Sequence, residues 1–178
     1  MKVLGIIGSP RKGGNTDLLV NAVLYGAGSR GQEIEKVYLY NLNILPCMDC
    51  RGCKRKSFQC VLNDGMKQLY LKLEEADVIV FGTPLYWYGP TAKMKLMFDR
   101  LRPFVASKKL QGKRAILIVP SDEGREACRC LFCMFELSFK YLGMKVEEEV
   151  LIQASEKAEV KNQPGILNEA FKLGQKLT

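Results

Sequence analysis

Histidine is absent from the 178 residues, and that gap removes a large share of ordinary enzyme chemistry. Serine–histidine–aspartate hydrolysis, cysteine–histidine proteolysis and histidine-ligated zinc catalysis all need an imidazole. Any reaction must therefore rest on a bound cofactor or on Cys, Tyr, Lys and carboxylates. Long apolar runs are missing too, with nothing near the roughly 20 residues of a membrane span. The chain opens at once on a strand-like segment, without a charged, apolar and cleavable leader, so a cytoplasmic protein with no membrane partner is expected. Two phosphate-binding signatures are lacking as well. There is no Gly-x-Gly-x-x-Gly, and Asn15 stands where a triphosphate loop would carry Lys followed by Ser or Thr. Repeats and low-complexity tracts are also missing.

Acidic residues are outnumbered, 19 against 27 Lys and Arg, for a net charge of +8. The bases are scattered, as in Lys54-Arg55-Lys56, Lys93, Lys95, Lys108-Lys109 and Lys113-Arg114, and no nucleic-acid motif accompanies them, so no nucleic-acid partner is expected. Such a surface suits phosphorylated cofactors or acidic proteins. With 178 residues and 47% hydrophobic content, one domain spanning 1–178 is expected, with a Cys-rich insertion at about 46–62.

Strand-like and helix-like segments alternate. Lys2 to Ile7, Asp77 to Thr83 and Arg114 to Val119 are continuous apolar strands suited to a sheet covered on both faces. Glu33 to Leu39 and Lys145 to Ile152 are mixed or polar and belong at its edges. Helices are expected from Thr16 to Ala27, Asp64 to Glu75, Thr91 to Leu101 with a stop before Pro103, Arg125 to Leu142 and Gly165 to Leu177. Asn15 or Thr16 can cap the first of these, with Asp17 in its first turn. The pattern predicts an α/β flavodoxin-like three-layer sandwich: a five-stranded parallel sheet of order 2-1-3-4-5 with helices on both faces.

In such a sheet the ligand sits beyond the strand ends where the winding reverses, between the first and third strands. One loop meeting there, Gly8-Ser9-Pro10-Arg11-Lys12-Gly13-Gly14-Asn15-Thr16, offers backbone N–H groups, hydroxyls and positive charge to a single phosphate. The other carries Tyr86, Trp87 and Tyr88, closed by Gly89-Pro90. A phosphate at one side and a flat ring at the other point to flavin mononucleotide (FMN). The plainer alternatives are a surface turn and an aromatic cap over the core.

The run Gly-Ser-Pro-Arg-x-x-Gly-Asn-Thr at Gly8 to Thr16, with Pro84-x-Tyr86-Trp87 and Ala92-Lys93-x-Lys95-x-x-x-Asp99-Arg100, resembles the NADPH-dependent FMN reductase superfamily over roughly Met1 to Val150. Within it the cysteine loop resembles the iron-sulfur flavoproteins. The resemblance implies that Ser9, Arg11, Asn15 and Thr16 hold the FMN phosphate. It places Pro84, Leu85, Tyr86, Trp87 and Gly89 along the ring system, and the loop from Ser121 to Gly124 beside it. It also implies a homodimer or homotetramer.

Seven cysteines are present, and Cys47, Cys50, Cys53 and Cys60 crowd into a Cys-x2-Cys-x2-Cys-x6-Cys run. The first three share ferredoxin spacing, while the fourth departs from it. Three readings stand: a 4Fe-4S cluster on Cys47, Cys50, Cys53 and Cys60, a zinc site, or reduced thiols. Lys54, Arg55 and Lys56 beside them would favour thiolates. Cys128, Cys130 and Cys133 cannot all share one helix face, so buried free thiols or a subunit contact are expected there. The function expected is an oxidoreductase passing electrons between an iron-sulfur cluster and FMN, with NAD(P)H, a quinone or a ferredoxin as partner. The alternatives are a cluster-free NAD(P)H-dependent FMN or quinone reductase, and a flavodoxin-like module that senses redox state through its thiols.

Overall fold

A computed structural model describes residues 1–178 except Lys56, so the expected contribution of Lys56 to charge beside the cysteines lies outside the described residues. The apolar runs become strands β1 (Lys2–Ile7), β3 (Val78–Gly82) and β4 (Arg114–Ser121), whose residues are almost all buried. The polar runs become β2 (Glu33–Tyr38) and β5 (Lys145–Gln153). All pairings are parallel, in the order β2-β1-β3-β4-β5, with the two polar strands at the edges as expected.

Alternation along the strands splits the core in two. Val3, Ile7, Val78, Val80, Ile116 and Ile118 pack with residues of α1 (Asn15–Gly28) and α6 (Pro164–Gln175). Leu4, Ile6, Ile79, Phe81, Leu117 and Val119 pack with α2 (Met66–Glu75), α3 (Ala92–Asp99), α4 (Arg102–Ser107) and α5 (Arg129–Leu142). At the centre of the second layer Phe81, Phe98, Phe135 and Phe139 form an aromatic cluster, with Phe98 and Phe135 edge to face at 4.9 Å between centroids. Each fully buried ring contributes roughly 1.5–3 kcal/mol from area alone. In the first layer α1 and α6 touch backbone to backbone. A Cβ at Gly26 would lie 2.0 Å from the Phe171 carbonyl oxygen, and one at Gly174 would lie 1.9 Å from that of Val23.

Two local expectations need correction, and a third, the stop before Pro103, holds with an addition. The N-cap of α1 is Gly14, and neither Asn15 nor Thr16 caps it with a side chain. Instead, Asp17 reaches back to accept from the Gly13 N–H at 2.7 Å. Pro103 does stand beyond the end of α3, but it lies in the first turn of the separate helix α4, where a missing N–H costs nothing. Finally, α5 begins at Arg129 and not Arg125, because Gly124 to Cys128 form turns ahead of it.

Candidate functional site

The loops after β1 and β3 are stitched together at the point where the sheet reverses its winding. Gly8 N–H donates to the Gly82 carbonyl at 2.7 Å, the Thr91 hydroxyl donates to the Gly8 carbonyl, and Thr91 N–H donates to Thr83 Oγ1 at 3.2 Å. A Cβ at Gly8 would lie 2.8 Å from Met94 Cε and 3.1 Å from the Gly82 oxygen, so any side chain there would displace the Met94 tip and crowd the carbonyl.

Within the first loop, Arg11 N–H donates to Ser9 Oγ at 3.2 Å and Gly14 N–H to the Arg11 carbonyl at 3.0 Å, with Gly13 in the left-handed region at φ 68°. The buried Asp17 carboxylate holds this turn from beneath. Besides Gly13, it accepts from Tyr38 Oη at 2.7 Å, Asn21 Nδ2 at 3.1 Å and Lys36 Nζ at 3.2 Å. Burial pushes its pKa up, but the donors from Gly13, Tyr38 and Lys36 outweigh that and keep it below the ordinary carboxylate range. Lys12 stands 5.3 Å from the centre of the Tyr38 ring, on the same brace.

A cavity of about 260 Å³ opens above these loops. Of the residues assigned to FMN, it brings together Ser9, Arg11, Asn15, Thr16, Pro84, Leu85, Tyr86 and Ser121, while Trp87 and Gly89 are not part of its wall. The Asn15 side chain is engaged elsewhere: Nδ2 donates to the Glu156 carbonyl at 2.8 Å and Oδ1 accepts from Val160 N–H at 3.3 Å. Those contacts fasten the segment after β5, from which Ser155 and Lys157 enter the cavity wall. Neither belongs to a motif. The signal that could have found them is topological, since in a parallel sheet the loop after β5 emerges at the same edge as those after β1 and β3.

Tyr86 and Gly89 exchange backbone hydrogen bonds, Tyr86 N–H to Gly89 at 2.8 Å and the reverse at 3.0 Å. Between them Trp87 (φ 49°) and Tyr88 (φ 61°) are both left-handed, the pattern of a type I′ turn normally built from Asn-Gly. Bulky residues in this conformation are outliers, and these point away from the core: Trp87 is 96% exposed.

Cys47, Cys50, Cys53 and Cys60 are all free thiols and line one recess, of about 20 Å³, together with Arg100 and Arg102. Arg100 is the organising side chain. Its Nη1 donates to Asp64 Oδ2 at 2.6 Å and to the Leu45 carbonyl at 2.7 Å, and its Nη2 to Asp64 Oδ1 at 3.2 Å and Cys60 Sγ at 3.3 Å. Its buried Nε has no partner among the described residues. Burial pushes the Cys53 thiol up, against the charge of Arg102. Four thiols beside a buried guanidinium with one sulfur contact and one unused donor are chemically suited to a thiolate-bound metal centre. The recess as it stands has room for about one water, and among the described residues no three His, Cys, Asp or Glu side chains converge on a single ion. Binding a cluster would require the loop to gather its thiols.

A doubly wound sheet of this order, with two stitched loops over its switch point, defines a flavodoxin-like fold. The chain belongs to the NADPH-dependent FMN reductase family, whose sequence pattern matches residues 1–156. Among relatives, an iron-sulfur flavoprotein of Methanocaldococcus jannaschii is 39% identical over 113 residues, covering 64% of this chain and 58% of that protein. A putative NAD(P)H-dependent FMN-containing oxidoreductase of Bacillus subtilis is 26% identical over 181 residues, covering 97% of this chain and 96% of that protein. The chain thus spans under two thirds of the length of the iron-sulfur flavoprotein it matches. Among solved structures, a flavone reductase superposes with a TM-score of 0.78 at 23% identity, covering 98% of this chain and 61% of that one, a likeness of fold. No helix among the described residues is long and apolar enough to cross a membrane.

Proposed function

We propose that this chain is a flavoprotein oxidoreductase that binds FMN in the cavity between the Gly8–Thr16 and Pro84–Gly89 loops and exchanges electrons with an iron-sulfur cluster on Cys47, Cys50, Cys53 and Cys60. When bound, FMN accepts a hydride or single electrons and a 4Fe-4S cluster carries one electron at a time, which supplies the redox chemistry a chain without histidine lacks. Ser9, Arg11, Thr16 and Lys157 would hold the phosphate, with Asn15 fastening the Lys157 segment. Pro84, Leu85, Tyr86 and Ser121 would orient the ring system, and Trp87 and Gly89 would shape the turn that covers its outer side. Arg100 would donate to sulfur and compensate the negative charge of thiolates. The reading extends to NAD(P)H, a quinone or an acidic carrier such as a ferredoxin as electron partner, and to assembly as a homodimer or homotetramer.

The observation that carries the cluster is the set of four thiols around Arg100, with its Cys60 contact and unpartnered Nε. A second reading, a cluster-free NAD(P)H-dependent FMN or quinone reductase, draws support from the small size of the recess and from the nearly full-length likeness to the Bacillus subtilis protein. Anaerobic purification followed by FMN, iron and acid-labile sulfide assays decides between them. One cluster's complement of iron and sulfide per chain together with FMN supports the first reading. FMN with neither iron nor sulfide, even after reconstitution, removes the first reading, steady turnover with NAD(P)H then supports the second, and loss of both readings follows if FMN does not bind.

A further inference from the structure

Helix α5 opens with two thiols that play no part in the site described above. Cys130 and Cys133 are exposed, while Cys128 at the N-cap is fully buried. Leu131 and Phe132 between them are buried, so the helix turns its apolar side inward and leaves both thiols on the solvent side. Residues three apart on an α-helix lie on one face with Cβ atoms about 5–6 Å apart. From helix radius and rise their Cα atoms are about 5 Å apart. A disulfide spans a Cα separation of about 4.4–6.8 Å but wants its Cβ atoms at about 3.5–4.5 Å. The backbone spacing is therefore already right, and closure requires the side chains to approach by about 1–2 Å.

The position on the helix makes that movement local. Cys130 is the second residue of α5, in the turn whose N–H groups have no acceptor within the helix. Phe132, between the two cysteines, is tied to the residues ahead of them, with the Arg125 guanidinium over its ring at 4.8 Å and its N–H donating to the Cys128 carbonyl at 3.0 Å. Tightening thus falls on the second to fifth residues of α5, and the strain it stores makes the resulting bond easy to reduce again. Of the remaining cysteines, Cys128 is buried and the other four line the recess beside Arg100.

We infer that Cys130 and Cys133 form a reversible dithiol–disulfide pair that exchanges with low-molecular-weight disulfides. One thiolate attacks a sulfur of the small disulfide, breaking its S–S bond, releasing one thiol and leaving a mixed disulfide on the protein. The second cysteine then displaces the other small thiol and closes the Cys130–Cys133 bond. Two cysteine thiols are oxidised by two electrons, one small disulfide is reduced to two thiols, and the two cysteine protons pass to the leaving groups. The pair thereby stores and returns an electron pair, a modification site separate from the cofactor cavity and the four-cysteine segment.

The test uses the full reduced chain, incubated with oxidised glutathione under anaerobic conditions, alkylated, cleaved after Phe132 and mapped by mass spectrometry. Cleavage there separates the two cysteines, so only a disulfide keeps the fragments joined. The expected result is a joined pair lacking two hydrogens, with little glutathione adduct, reverting on treatment with reduced glutathione. Cys130→Ser and Cys133→Ser, surface changes that leave the fold intact, should each accumulate up to one equivalent of stable adduct on the remaining cysteine. Separate adducts on both cysteines of the unaltered chain would overturn the inference, as would two unmodified thiols or links between chains through these residues.

Discussion

Arg100 and Asp64 face each other at 2.6 Å with their side chains 1% and 0% exposed, and together they close the base of the cysteine segment. Leu45 N–H donates to Asp64 Oδ2 at 2.8 Å, and the Leu45 carbonyl accepts from Arg100, so the entrance and exit of the segment are tied to one ion pair. Removing one partner strands the other. Arg100→Met is expected to cost about 3–5 kcal/mol, the usual penalty for an uncompensated buried charge. Arg100→Met with Asp64→Leu should recover part of that loss, because the second change removes the orphaned carboxylate. Denaturant unfolding of the two single variants and the double variant tests this. Costs that simply add would show that the residues do not act as a pair.

The phosphate loop separates a charge role from a fastening role. Arg11 carries an exposed guanidinium on the cavity wall, whereas the Asn15 amide is bonded to Glu156 and Val160. Arg11→Ala should weaken FMN binding tenfold or more, as expected for a charge-assisted hydrogen bond of about 1.5–3 kcal/mol, and leave riboflavin, which lacks the phosphate, unaffected. Asn15→Ala should weaken FMN by releasing the Lys157 segment, so that adding Lys157→Ala brings little further loss. Fluorescence titration with the two flavins gives both comparisons. A fully additive loss for Asn15 and Lys157 would assign Asn15 a direct contact instead.

Asp17 gives the same loop a pH dependence. Its folded pKa lies below that of an unfolded Asp near 3.9, so as pH falls the unfolded chain takes up the proton first. The stability it contributes is therefore present above about pH 4 and is lost as pH drops through the folded value. Asp17→Asn should lower stability near neutrality by about 1–3 kcal/mol, since Gly13 N–H, Tyr38 Oη and Lys36 Nζ lose a charged acceptor. The gap between the two proteins should narrow towards pH 3. Unfolding free energies measured across that range check the slope, and a constant gap would contradict it.

What could be read in the chain was whatever has a local physical signature. Continuous apolar runs marked β1, β3 and β4, and the polar character of Glu33–Tyr38 and Lys145–Gln153 put β2 and β5 at the edges, which fixed the strand order. The loop from Gly8 to Thr16 was legible because glycines, hydroxyls and bases cluster there. The contacts that organise the sites were not legible, because they join residues far apart in the chain. Asn15 meets Val160 across 145 positions and Arg100 meets Cys60 across 40, through side chains whose types allow many partners. The cap was missed for a related reason: the helix starts after Gly14, so Asn15 and Thr16 lie inside it, and the Asn15 amide is taken by Glu156 and Val160 far along the chain.

The turn at Trp87 and Tyr88 is where local preference and observed conformation disagree most. Left-handed backbone costs a non-glycine residue about 1–2 kcal/mol, and Trp87, with 96% of its surface exposed, gains little packing in return. The double change Trp87→Asn with Tyr88→Gly, which installs the residue pair this turn type prefers, should therefore raise stability by roughly 1 kcal/mol after the added chain entropy of glycine is subtracted. If the aromatic pair is kept because it stands beside the flavin ring, the same double variant should bind FMN and riboflavin more weakly by a similar factor, since the ring and not the phosphate is affected. Trp87 is the only tryptophan in the chain, so its emission should start as that of a water-exposed indole and fall as FMN is added. A stabilised variant with unchanged affinity for both flavins would leave the turn without a role at the ring.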